Sequence, residues 1–207
     1  MRLQYPFDLP VLPYSFTDMQ PYISEWTMKS HYERNHRNYV NKLNELLVKA
    51  PAYQNMSLGM LVSRSKGSLF EMSAQHFNHV FWWFSIKPPK PLKLPSETVL
   101  NHIVKDFGSM QNWKNDFINK AQSQFGSGWV WLVKENGKLV NSTTSNAGIP
   151  NFVNGITPLL VCDLWEHAYY CDYTTSRKKY IENWFNCINW QMVDVRYSGK
   201  DAIMDIF

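Results

Sequence analysis

Cysteine is scarce in this chain. The three present, Cys162, Cys171 and Cys187, are odd in number and lack metal-finger spacing. They exclude a disulfide framework as the basis of the fold and suit buried apolar thiols in a reducing compartment. Long apolar runs are missing as well: none approaches the ~18 consecutive residues of a membrane span. The opening Met1-Arg2-Leu3-Gln4-Tyr5-Pro6 lacks the apolar core of a signal peptide. These absences point to the cytoplasm, with a mitochondrial or plastid location as the alternative if a targeting segment has been removed. Strong charge is absent too. The formal net charge is +4 over 207 residues, and Lys and Arg are scattered. A nucleic-acid partner would require a clustered basic face; this balance supports only weak attraction of small anions. No internal repeat is visible.

What is abundant is aromatic. Nine Trp, twelve Phe and eleven Tyr imply a dense core, since each such side chain buries a large area. Four of the eleven prolines fall within Lys87–Pro95, a stretch that suits neither helix interior nor strand ladder. Residues 87–95 are therefore the expected linker between a domain at 1–86 and another at 96–207. In the first, Ser24 can cap a helix in which Met28, Tyr32, Tyr39, Leu43, Leu46 and Leu47 recur at helical spacing. Residues Ser68 to Phe84 read as a second helix, apolar almost all round and so buried; two such helices make an antiparallel hairpin. In the second half Trp113, Phe117, Ala121 and Phe125 mark one helix stripe. Trp129–Val133 and Leu139–Thr144 read as strands around Asn136-Gly137, a strong hairpin signal. Leu159–Asp163 reads as a third strand. Tyr180, Ile181, Trp184, Phe185 and Ile188 mark a closing helix, with Ser176 as its cap. The chain is thus α+β.

One stretch carries chemistry. In Val161-Cys162-Asp163-Leu164-Trp165-Glu166-His167 a carboxylate and an imidazole stand four residues apart amid apolar neighbours. Burying such groups unpaired costs several kcal/mol, and a first-row transition metal is one partner that Asp and His share. Two histidines on the N-terminal helices complete a candidate set: His31 on the first, and His79 on the second, where Gln75 is four residues away on the same face. Three neutral imidazoles and one carboxylate with an open position suit iron or manganese better than structural zinc. Each piece alone has a plainer reading. A lone histidine on an apolar helix is more often a satisfied core residue, and Asp163 can simply cap the helix that carries His167. Sequence spacing does not by itself bring the four together.

The chain resembles the iron/manganese superoxide dismutases over nearly its whole length. The resemblance is carried, in family order, by Leu12-Pro13-Tyr14, His31 with Tyr39-Val40-Asn41-Lys42-Leu43-Asn44, Ala74-Gln75 with Asn78-His79, Phe125–Leu132 and Asp163–Tyr170. It implies an N-terminal helical hairpin domain and a C-terminal domain with a three-stranded antiparallel sheet flanked by helices. It also implies one mononuclear metal ion per subunit, held by His31, His79, Asp163 and His167, and dismutation of the superoxide anion. Gln75 stands where iron-type members carry the glutamine that holds metal-bound solvent, and Ala147 stands where manganese-type members supply it. Iron is therefore expected, with manganese second. Tyr39 matches a gateway tyrosine that bonds Gln75, and Trp83, Trp129, Trp131 and Trp165 match an aromatic shell. Glu166 and Tyr170 match residues that reach across a homodimer, Glu166 to the partner's ligand histidine.

The chain also departs from the family. Asn35-His36 replaces two successive histidines, which puts proton relay through position 35 in question and leaves His36 as a structural helix residue. Trp82, Phe84, Met72-Ser73 and His76 are unusual, and the proline run replaces a glycine-rich loop. Two other readings stand beside the dismutase: a catalytically impaired member with a structural or interaction role, and a different non-haem iron enzyme using two His and one carboxylate. A mildly positive funnel of Lys and Arg would assist capture of superoxide.

Overall fold

Ser24 opens the first helical run. Its side chain accepts a hydrogen bond from the Thr27 amide, and Glu25 adds negative charge in the first turn, both favourable at a helix N-terminus. The computed structural model describes residues 4–89, 94–151 and 155–200, so residues 90–93 of the expected linker lie outside the described residues. The run comprises α1 (Glu25–Ser30), a π-helical stretch at His31–His36, and α2 (Arg37–Val48). The stripe from Met28 to Leu47 predicts one regular helix; the π-helical interruption is the difference, and it falls on the histidines. After α3 (Leu58–Arg64) comes α4 (Gly67–Ser85), in which every residue from Ser73 to Trp83 is buried. Burial all round results from its neighbours, since α4 packs against α2 and α3 of its own half and also against β3 (Thr157–Asp163) and α9 (Trp190–Tyr197).

The second half begins with α5 (Glu97–Phe107) and α6 (Met110–Ser123). The sheet comes next, with β1 (Gly128–Glu135) between β2 (Lys138–Ser145) and β3, both pairings antiparallel. Asn136 and Gly137 both have positive φ, 50° and 76°, as a two-residue turn of this kind demands. In the register of β1 with β3, Trp129 faces Asp163, which sets the last residue of β3 beside an indole. The chain closes with α7 (Tyr170–Tyr173), α8 (Arg177–Trp184) and α9.

The halves are pinned by a buried cation. Arg196 on α9 lies 3.4 Å over the Phe81 ring and donates to Phe81 O, Ser85 Oγ and Leu159 O. It thereby ties the last turn of α4 to β3, and positive charge is favoured at that end of a helix. Nearby, Ile86 bridges Ile188.

Several sequence expectations change in the folded chain. Phe125 is not on the α6 stripe: the helix ends at Ser123, and Phe125 is 97 % exposed in the loop beyond it. Cys162 and Cys187 are buried thiols, but Cys171 is exposed. Phe185 and Ile188 fall beyond α8, and Ser176 precedes that helix without making a side-chain cap bond.

Candidate metal centre

The site is built from His79 outward. Its Nδ1 lies 2.7 Å from the Gln75 carbonyl, one helical turn back. A carbonyl only accepts, so the proton is on Nδ1 and the lone pair on Nε2, the arrangement that orients an imidazole for a metal. Among the described residues that Nε2 is buried without a hydrogen-bond partner, and so is Nε2 of His31. Asp163 ends β3; its Oδ1 accepts from the Trp165 amide at 2.8 Å, which leaves Oδ2 turned inward. Around Oδ2 stand Nε2 of His31 at 3.1 Å, of His167 at 3.2 Å and of His79 at 3.8 Å. His167 arrives four residues later on a short helical turn, Glu166–Ala168.

Ligand atoms of His31, His79, Asp163 and His167 all lie within 4.8 Å of one another. Atoms bound 2.0–2.2 Å from one ion stand about 3 to 4.4 Å apart, so closing the cluster onto a single ion asks for an inward shift of only a few tenths of an ångström. Orphaned buried nitrogens cost roughly 1–3 kcal/mol each, and a shared cation removes that cost. The protonation states agree. Burial holds His31 neutral, lowering its pKa to about 4 against the opposing pull of the nearby Asp163 carboxylate. Burial and the neighbouring His31 hold His79 well below the usual imidazole range. Burial alone would raise the Asp163 carboxyl, but His167 and His31 outweigh it and hold it below the usual carboxylate range. Neutral imidazoles at His31 and His79 and a carboxylate at Asp163 are the forms that bind metal.

The chain has relatives among known proteins. The family described as iron/manganese superoxide dismutases matches twice, its alpha-hairpin domain over residues 6–87 and its C-terminal domain over residues 95–196. Proteins named as iron superoxide dismutases from Coxiella burnetii and Escherichia coli K12 are each 42% identical over 188 residues, spanning 90% of this chain and 96% of the relative. One from Plasmodium falciparum is 42% identical over 187 residues, 90% of this chain and 93% of its own. The chain belongs to the iron/manganese superoxide dismutase family.

Most of the expected aromatic shell touches the cluster. Ring centroids of Trp83 and Trp82 lie 4.9 and 4.6 Å from His31, Trp129 lies 5.1 Å from His79, and Trp165 stacks on His167 at 5.6 Å. Trp131 does not join them; it packs on Phe81 and donates to Thr144 Oγ1. Tyr39 sits 5.2 Å from the His79 ring, and Tyr39 and Gln75 line one cavity of about 450 Å³. No hydrogen bond joins these two among the described residues, and Gln75 Oε1 is buried without a partner. Ala147 and Gly148 line the same cavity, and their carbonyls accept from Asn78 Nδ2. Among the described residues Gln75 is the cavity's one glutamine, and it comes from α4. The described lining includes no Lys or Arg.

Sequence reading missed one device. His36 is not merely a helix residue: it stacks on His79 at 5.1 Å, accepts from Trp83 Nε1 at 2.9 Å, and lies 2.8 Å from His76 Nδ1. Trp83 can only donate, so His36 carries its proton on Nε2 and passes it toward His76 Nδ1. His76 therefore carries its own proton on Nε2, which is buried without a partner. Two further histidines on the helices that bear His31 and His79 were the available signal. Asn35, by contrast, is half-buried and joins no hydrogen bond among the described residues.

Proposed function

We infer that this chain is a superoxide dismutase that works through one mononuclear iron. The convergence of His31, His79, Asp163 and His167 on one point carries the reading, and the relatives named for the iron enzyme support it. The proposed ligand atoms are the three Nε2 nitrogens and Asp163 Oδ2. Iron held there supplies one-electron chemistry, by which two superoxide anions and two protons become dioxygen and hydrogen peroxide.

The chain's own residues set the conditions. One carboxylate among three neutral imidazoles keeps the ligand charge low, so neither oxidation state is strongly favoured by the ligands. Gln75, four residues before His79, presents its amide at the cavity floor and is the proposed partner of metal-bound solvent. Tyr39 holds its proton on Oη: burial and the Asp163 charge push its pKa up to about 12. It is thus a neutral donor beside the cavity at any physiological pH. The indoles of Trp82, Trp83 and Trp129 pack water away from the ligands.

A homodimer is also proposed. Glu166 and Tyr170 are exposed beside His167, whose Nδ1 has no partner among the described residues. Glu166 of a second copy is suited to accept from it. The two domains proposed are 1–86 and 96–207, joined by 87–95. No helix among the described residues is long and apolar enough to cross a membrane, and the cytoplasm is the proposed compartment.

The deciding experiment is elemental analysis of the purified protein with superoxide-removal assays after loading with iron and with manganese. Activity with iron is expected. Inactivity with both metals at full occupancy would overturn the reading in favour of a structural member, and activity with manganese alone would overturn the role given to Gln75.

A further inference from the structure

The cavity that leads to Gln75 and Tyr39 carries a charge of the wrong sign for its expected visitor. Its lining is aromatic, apolar or neutral polar apart from Glu71, the only formally charged side chain in it among the described residues. Glu71 and Gln75 are four residues apart on α4, so they share a face with their Cβ atoms about 6 Å apart. Glu71 is exposed, whereas Gln75 is buried. Glu71 therefore stands about one helical turn from the amide, on the exposed side of the cavity lining. No ion pair to Glu71 occurs among the described residues.

We propose that Glu71 is a specificity-determining residue that opposes anion entry and sets the sign of the salt dependence of dismutation. The proposal rests on the dismutase reading for its substrate. The chain as a whole is cationic at +4, which draws anions at long range. At the mouth the nearer charge dominates, because Coulomb energy falls with distance and salt screens beyond about 10 Å at 0.1 M. A unit anion about 6 Å from a unit negative charge in water is depleted roughly threefold at low salt. Screening at 0.1 M reduces that to about twofold, and near 1 M salt little remains.

The test compares wild type with Glu71→Gln in the iron-loaded protein by two readouts. One is kcat/KM for superoxide across ionic strength; the other is the dissociation constant of azide, a small monovalent anion, followed by the change in visible absorption. Glu71→Gln is expected to raise kcat/KM and tighten azide about threefold at low salt, both gains vanishing near 1 M. Glu71→Lys, a change of two charges, should give about the square of that factor. An active wild type whose rate and azide affinity are indifferent to Glu71→Gln would overturn the proposal, and so would a change that persists at 1 M salt, since that is a packing effect. Azide responding as expected in a protein inactive toward superoxide would overturn the dismutase reading instead and leave the repulsion standing.

Discussion

The chain Trp83 to His36 to His76 makes a prediction in which two chemically identical substitutions differ. Both histidines are fully buried and neutral: burial, with the neighbouring His76, holds His36 well below the usual imidazole range, and burial holds His76 at about 3. Their protons are therefore placed by the bonding order, Trp83 Nε1 to His36 Nδ1 at 2.9 Å and His36 Nε2 to His76 Nδ1 at 2.8 Å. His76→Phe removes one hydrogen bond, worth about 1 kcal/mol. It orphans the His36 N–H but deletes the orphan that wild type already has at His76 Nε2, so the net cost stays near about 1 kcal/mol. His36→Phe removes both bonds and strands the Trp83 indole N–H and the His76 Nδ1 acceptor, at roughly 1–3 kcal/mol for each buried group. Its net cost is about 3 kcal/mol, although the ring that stacks on His79 is kept. For a chain of this length about 2 kcal/mol corresponds to a Tm gap of roughly 4–8 °C. Thermal melts of both variants as metal-free proteins, followed by circular dichroism, measure it without a contribution from ligand binding. Equal losses, or a greater loss for His76→Phe, would refute the proton placement.

Burial and exposure set the other expected outcomes. The metal-free protein should lose stability in acid: His31 is held at about 4 against an unfolded value of 6.5, so its contribution is whole above pH ~6.5 and is lost as pH falls through about 4. That is about 3 kcal/mol for His31 alone, and a urea midpoint unchanged between pH 7.5 and 4.5 would contradict it. Cys162 and Cys187 should resist thiol reagents until the protein unfolds, because burial raises both pKa values, that of Cys187 to about 12; only exposed Cys171 is open to modification in the native state. Phe125→Ser should weaken the proposed dimer. Its loop is clamped to Leu164 by Arg177, which donates to the carbonyls of Gln124, Gly126 and Leu164. Two symmetry-related phenylalanines, each worth ~1.5–3 kcal/mol when buried, give roughly a 10²–10⁴-fold rise in the dissociation constant, readable by sedimentation across concentrations.

The legible parts of the chain were those with local chemistry. Asn136-Gly137 dictates positive φ at both positions, so the hairpin could be placed from two residues. The all-round apolar character of Ser68 to Phe84 announced burial, since only a helix packed on every side can carry it. The four candidate ligands could be named from their residue types and neighbours, but that they meet came only from motif resemblance, because His31 and Asp163 are far apart in sequence and are joined by packing of the first helical run on α4 and of α4 on β3. Phe125 misled because its spacing continues the α6 stripe, and the helix end at Ser123 is set by a Gln124 backbone in the extended region. The mouth charge could not be read either: which of many scattered charges faces a cavity depends on helix rotation, and Glu71 gains meaning only once Gln75 is known to face inward.

The π-helical stretch explains why one helical run serves the site so fully. Five residues of a regular α-helix advance about 500°, which would leave His31 and His36 about 140° apart, with only one of them facing α4. The i→i+5 bonding of a π turn brings residues five apart onto nearly one face. Both rings then meet His79, at 5.0 and 5.1 Å. Tyr39, three residues further and back in regular helix, brings its ring 5.2 Å from the same imidazole. A proposed ligand, a buffer of neutral stacked imidazole and a phenol donor thus converge from one segment on one α4 histidine. The helix gives up its regular register there, and in this chain the arrangement is extended by His76, which lets a second buried imidazole fix the first.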